Sequence, residues 1–115
     1  MGGVTLIGFQ KKGKISNTDL YQLGYAYFKE KKFTKAISQF NQIIGENNSL
    51  SQNSYYTLAE CYLKTNNKSA ALNAFKIASK MSFNPNITED AFLNYAKLSY
   101  EIGNPFESCL LYTSD

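Results

Sequence analysis

The side chains that offer covalent or acid–base chemistry are Cys61, the carboxylates Glu60, Asp90 and Glu101, and nine tyrosines, in a chain of 115 residues without a histidine. The missing histidine removes the commonest general base and the commonest metal ligand together. No pair of the remaining groups sits at a spacing that dictates acid–base or nucleophilic work. Cys61 falls in a small-residue slot beside Ala59 on a helical pattern, which suits a packing thiol better than a nucleophile with an activating base. Neither Cys61 nor Cys109 has a second thiol at ligand spacing, so they form neither a metal site nor a disulfide framework. These residues read as a protein that is not an enzyme and takes no cofactor and no metal. Lys29, Lys31, Lys32 and Lys35 cluster in one short stretch. Such a cluster would serve nucleic acid only within a larger basic face, and a net charge of +3 argues for a solvated turn instead.

With catalysis set aside, the question becomes what scaffold these residues decorate. The length suits one domain with one continuous core. With 43% hydrophobic and 18% charged residues and no unbroken apolar stretch long enough to span a bilayer, the composition is that of a folded chain without membrane insertion. The N-terminal residues lack the features of a signal peptide, and Leu6 breaks the myristoylation pattern. The compartment stays open, between cell envelope or periplasm and cytoplasm.

Residues 1–16 read as the remnant of a preceding unit or a linker. Ser16, Asn17 and Thr18 then offer cap side chains, and Leu20, Leu23, Gly24 and Tyr27 recur at i, i+3, i+4 and i+7, which predicts an amphipathic helix to about Glu30. Gly24 on its apolar face calls for a neighbouring helix at close approach. After Lys31 and Lys32, a second stripe of Ala36, Ile37, Phe40, Ile43 and Ile44 runs to Gly45. Two amphipathic helices joined so tightly must lie antiparallel, as a hairpin.

The pattern then repeats. Ser49 and Gln52 fit a capping box; Tyr55, Leu58, Ala59 and Tyr62 repeat the first face, and Ala71, Leu72, Phe75 and Ala78 the second. Residues 81–86, with Pro85, close this unit. Thr88 is placed as the cap of a third first-helix, with Glu89 and Asp90 in its opening turn and Phe92, Tyr95, Ala96 and Ser99 on its packed face. Asn104-Pro105-Phe106-Glu107 has the chemistry of one more helix start.

The unit resembles the tetratricopeptide repeat, a helix-turn-helix of about 34 residues. The residues that carry the resemblance are Leu20, Leu23, Gly24, Tyr27, Ala36 and Phe40 in the first unit, and Tyr55, Leu58, Ala59, Tyr62, Ala71, Phe75 and Ala78 in the second. The third keeps Phe92, Tyr95 and Ala96 but has Ser99 and Ser108 at two marked positions. The small residues Gly24, Ala59 and Ala96 lie 35 and 37 positions apart (59 − 24 and 96 − 59). The resemblance implies an all-α fold, a right-handed superhelical solenoid of antiparallel helix pairs, with repeats at 17–50 and 51–87 and a truncated third at 88–108. As a whole the chain looks like an internal piece of the large bacterial arrays of this family. Residues 109–115 resemble the translation of a sequencing-library adaptor, a non-native tail; the rival reading makes Tyr112 the aromatic position of the last helix.

In such arrays the first helix of each unit lines a concave groove that binds peptide or protein segments. The resemblance places Thr18, Tyr21, Tyr25, Phe28 and Lys29 there from the first unit, and Asn53, Tyr56, Glu60, Leu63 and Lys64 from the second. Asp90, Leu93, Lys97, Tyr100 and Glu101 follow from the third. Tyr27 and Tyr62 are assigned to the core. The family's clamp for C-terminal carboxylates needs cations and amides where this chain has Tyr21, Tyr25, Thr57, Asp90 and Asn94, so the expected ligand is an apolar or aromatic segment rather than an acidic tail. The competing reading is a structural spacer within a longer solenoid, which would associate end to end when isolated. Nucleic-acid binding through the lysine cluster ranks below both.

Overall fold

Five helices follow one another in the computed structural model, which describes residues 16–43 and 46–103: α1 (Asn17–Lys29), α2 (Phe33–Phe40), α3 (Ser49–Lys64), α4 (Lys68–Lys80) and α5 (Pro85–Glu101). The fold is the all-helical repeat stack that the sequence predicts. Residues 104–115, and with them the expected further helix, Cys109 and the adaptor-like tail, lie outside the described residues, as do residues 1–15, Ile44 and Gly45.

Short polar side chains start four of the helices. The Ser16 hydroxyl accepts from the Asp19 amide at 3.1 Å, and the Asn67 side chain accepts from the Ala70 amide at 3.2 Å. For α3 the cap is Asn48, whose Oδ1 accepts from the Ser51 amide at 2.8 Å, so the expected Ser49–Gln52 capping box does not form. For α5 the cap is Asn84, with Pro85 in the first turn. Pro85 therefore opens a helix instead of closing a unit, and Thr88, expected as the cap, lies inside α5. A proline needs no amide partner at that position, so Asn-Pro is a stronger start than Thr88 provides. Glu89 and Asp90 are moved beyond the first turn as a result.

The helix α2 ends at Phe40, and a tighter turn in which the Ile43 amide bonds the Phe40 carbonyl at 3.0 Å still buries Ile43. Both hairpins close alike. The Lys32 amide bonds the Tyr27 carbonyl at 2.8 Å, the Asn67 amide bonds the Tyr62 carbonyl at 2.8 Å, and the residues before them, Lys31 and Asn66, are left-handed at φ 64° and 66°.

Packing runs along the chain as in a stack. Each helix contacts its sequence neighbours, α1 also reaches α3 and α3 reaches α5, while α1 and α5 do not meet. One cluster of buried side chains, built on Leu20, Ala36, Phe40, Ile43, Leu58 and Cys61, serves the first pair and its junction with α3. A second, with Ala59, Ala71, Phe75, Ala78, Ala91 and Leu98, joins α3, α4 and α5. Burial of Phe40 and of Phe75 contributes about 1.5–3 kcal/mol each. Gly24 does what its place in the stripe predicts: a Cβ there would lie 3.0 Å from two ring carbons of Phe40.

Tyr27 and Tyr62 are only half-buried, which corrects their assignment to the core. The Lys35 ammonium sits over the Tyr27 ring at 5.8 Å, and Tyr62 packs against both clusters. Tyrosine keeps its hydroxyl toward water while its ring packs, and that suits the seam between units. Phe92, expected on a packed face, is 45% exposed, and Ile102, past the end of α5, 41%; the further helix expected after it lies outside the described residues.

Candidate binding face

The face expected to bind is built by α1, α3 and α5. On α1, the rings of Tyr21 and Tyr25 stack at 6.0 Å and 16°, and Tyr25 continues to Phe28 at 5.9 Å. The i, i+4 and i, i+3 spacings put these three rings on one ridge. The Lys29 ammonium lies 5.6 Å from the centre of the Tyr25 ring, so a cation rests on the end of that ridge. Tyr25 is 40% exposed. Tyr21 is half-buried, leans on Phe40 at 5.8 Å, and bonds the side chain of Thr57, which ties α1 to α3; burial, and next the neighbouring Tyr25, raise its pKa.

On α3, Tyr56 packs edge-on against Phe75 at 5.7 Å and 72° and donates its hydroxyl to the Asp90 carboxylate on α5. Burial, and then this bond, push the phenol pKa well above its usual range. Asp90 can turn to Tyr56 because the helix begins at Pro85, which leaves it clear of the capping turn. Glu60, one turn on, is half-buried, and its pKa is raised first by that burial and second by the charge of Asp90, with Lys64 pulling the other way. Cys61, behind it, is fully buried, and burial pushes its thiol up to about 12. Such a thiol is inert, as its small-residue slot predicts. Asn53 is half-buried and Lys64 exposed.

On α5, Leu93 and Tyr100 are 61% and 58% exposed, with Lys97 exposed between them on the same side of the helix. Glu101 instead turns to α4, where it pairs with Lys68 at 3.5 Å. Asn94 donates to the Asp90 carbonyl within its own helix at 2.9 Å, so the one side chain suited to a carboxylate clamp is occupied. No group of side chains among the described residues could hold a metal ion, and no helix among them is long and apolar enough to cross a membrane.

A further residue whose expected role the structure changes is Gln52. Its side chain is fully buried and does not fold back on its own helix. The Nε2 group reaches the carbonyls of Ala78 and Met81 at 3.1 and 2.7 Å and the Thr88 hydroxyl at 2.8 Å, and Oε1 accepts from the Asn84 amide at 2.7 Å. One amide thus fixes α3 to the end of α4 and the start of α5, which sets how successive units stack along the face. Its partners lie 26 to 36 positions downstream, so local spacing gave no sign of them.

The helix order, the matched hairpins and the small residues at the crossings are those of tetratricopeptide-type repeats. The family described as anaphase-promoting complex, cyclosome, subunit 3 matches residues 12–78, more than half of the chain. The chain belongs to this family. No curated protein and no solved structure matches it. Helical repeats of this family's type serve in protein interaction and scaffolding and are generally non-catalytic.

Proposed function

We propose that the chain is a non-catalytic scaffold that holds an extended peptide or protein segment along the face built by α1, α3 and α5. The observation that carries this reading is the exposure there of Tyr25, Leu93 and Tyr100; among the described residues the other large apolar side chains exposed to a like degree are Phe83, Phe92 and Ile102. Exposed tyrosine and leucine beside mixed charge favour a partner rich in apolar and aromatic side chains. The family's description names a subunit of a multiprotein complex, which supports an assembly role.

Capture on an array of extended peptides is the test. The parent chain should select apolar and aromatic segments, and Leu93→Ser with Tyr100→Ala should weaken their binding about tenfold or more, since truncating central anchors costs 1–2 kcal/mol or above. A double variant that captures every segment as the parent does would sink the reading. The exposure of Phe92 and Ile102 favours a second reading, in which these repeats are spacers that pass their end face to the next unit.

A further inference from the structure

At the hairpin-turn edge of the same face the surface sinks into an open hollow of about 350 Å³ lined by Phe28, Lys29, Lys31, Phe33 and Lys64. Its floor is the pair of rings Phe28 and Phe33, which meet edge to face at 5.9 Å and 66°. A second hollow shares Lys31 and Phe33 and runs on to Lys35 and Thr65. Lys32 is paired with Glu30 at 3.4 Å. Among the described residues no carboxylate comes within ion-pairing distance of Lys29, Lys31 or Lys64. An apolar floor ringed by three such cations is complementary to an apolar group that carries negative charge at its edge.

The second hairpin serves as an internal control. Its turn has the same backbone, with Asn66 at φ 66° where the first has Lys31 at φ 64°. Yet in the 35-residue register of Gly24 and Ala59, Phe28 corresponds to Leu63, Lys31 to Asn66, Phe33 to Lys68 and Lys35 to Ala70. The turn is made without lysine at its left-handed position, and asparagine tolerates that conformation better. The helix after it starts without an aromatic residue. Lys31 and the two rings of the first hairpin are thus not required by the architecture, whereas Lys29 has a counterpart in Lys64, and these residues converge on one hollow.

We infer that this hollow is a binding site for an aromatic side chain flanked by carboxylates, on an acidic peptide segment of a partner protein. The inference rests on the scaffold reading and gives the held segment a direction, its acidic aromatic anchor at the turn edge and its apolar part along α5. Single-stranded nucleic acid fits less well, because its bases stack on open ring faces and these rings meet edge to face.

Fluorescence anisotropy with the full chain tests the assignment, using a labelled pentapeptide of one phenylalanine between pairs of aspartates. Replacing its aspartates by asparagine, or its phenylalanine by alanine, should each weaken binding about tenfold. Lys31→Asn with Lys64→Gln should do the same without lowering the thermal midpoint. Lys31→Asn alone copies the second turn and keeps the test open should Lys64→Gln disturb folding. Equal affinity for the aspartate and asparagine peptides, or unchanged binding by the lysine variants, overturns the assignment. So does displacement of the peptide by an equal concentration of oligothymidylate, which would mark a general anion surface. Loss of long apolar segments in the Leu93→Ser, Tyr100→Ala chain, with the acidic peptide bound equally by the parent and the lysine variants, would leave the scaffold reading standing while the hollow fails. Tight binding of the short acidic peptide by a chain that captures no apolar segment would do the reverse.

Discussion

At the scale of single residues, the side chains with unusual environments on this face act on one another. Tyr56 gives its hydroxyl to Asp90, and Glu60 sits behind them in partial burial. Burial first, and then Asp90, raise the Glu60 carboxyl above its usual 4.5. The folded chain therefore holds this proton more tightly than the unfolded chain does. The stability that goes with it is complete below the unfolded value and is lost as pH rises through the folded pKa. Glu60→Gln removes a carboxylate that neutral pH forces to charge in a half-buried place. The variant should gain stability over the parent at about pH 7 relative to about pH 4, read as the difference in urea midpoints at the two pH values. A difference that does not change with pH would show that Glu60 is as well solvated folded as unfolded.

At the scale of elements, what could be read in advance depended on how far apart the partners lie. The stripe through Leu20, Gly24, Ala36 and Phe40 was legible because helical period is a local property, and so was the close approach that makes Gly24 necessary. Gln52 was not. Its type and place fit a local capping box equally well, and only the arrival of Ala78, Met81, Asn84 and Thr88 decides otherwise. Pro85 is legible as a boundary but not as to which side it belongs, since Asn-Pro suits a closing turn as well as the helix start it makes here. The exposed rings Tyr25 and Tyr100 and the covered Tyr21 and Tyr56 differ by tertiary contacts with Thr57, Phe75 and Asp90, which spacing does not encode. Gln52→Leu keeps the volume but strips the polar partners, and a buried group left unpaired costs roughly 1–3 kcal/mol. A loss of about 3 kcal/mol is expected in denaturant unfolding. Hydrogen exchange should show α5 amides losing protection while those of α1 and α2 keep theirs. Uniform loss across all five helices would mean that the amide does not act at the α3–α5 junction.

At the scale of the whole molecule, α1 and α5 do not meet, so among the described residues the helices pack as a linear stack and α5 meets only α3 and α4. Between α3 and α5 the junction is closed by Ala59, Ala91 and Leu98. Phe92 in the middle of α5 and Ile102 just past its end stand 45% and 41% exposed. Repeat arrays are normally finished by a polar capping helix, because an open end is the same surface that binds the next unit. The spacer reading therefore makes a definite demand. The isolated chain should associate through this end, with a sedimentation coefficient that rises with concentration, and Phe92→Gln with Ile102→Gln should return it to a monomer without unfolding it. A chain that sediments as a monomer at every concentration would show that its end face needs no neighbour. The exposed Leu93 and Tyr100 would keep the partner that the scaffold reading assigns them, since that reading does not depend on the end face.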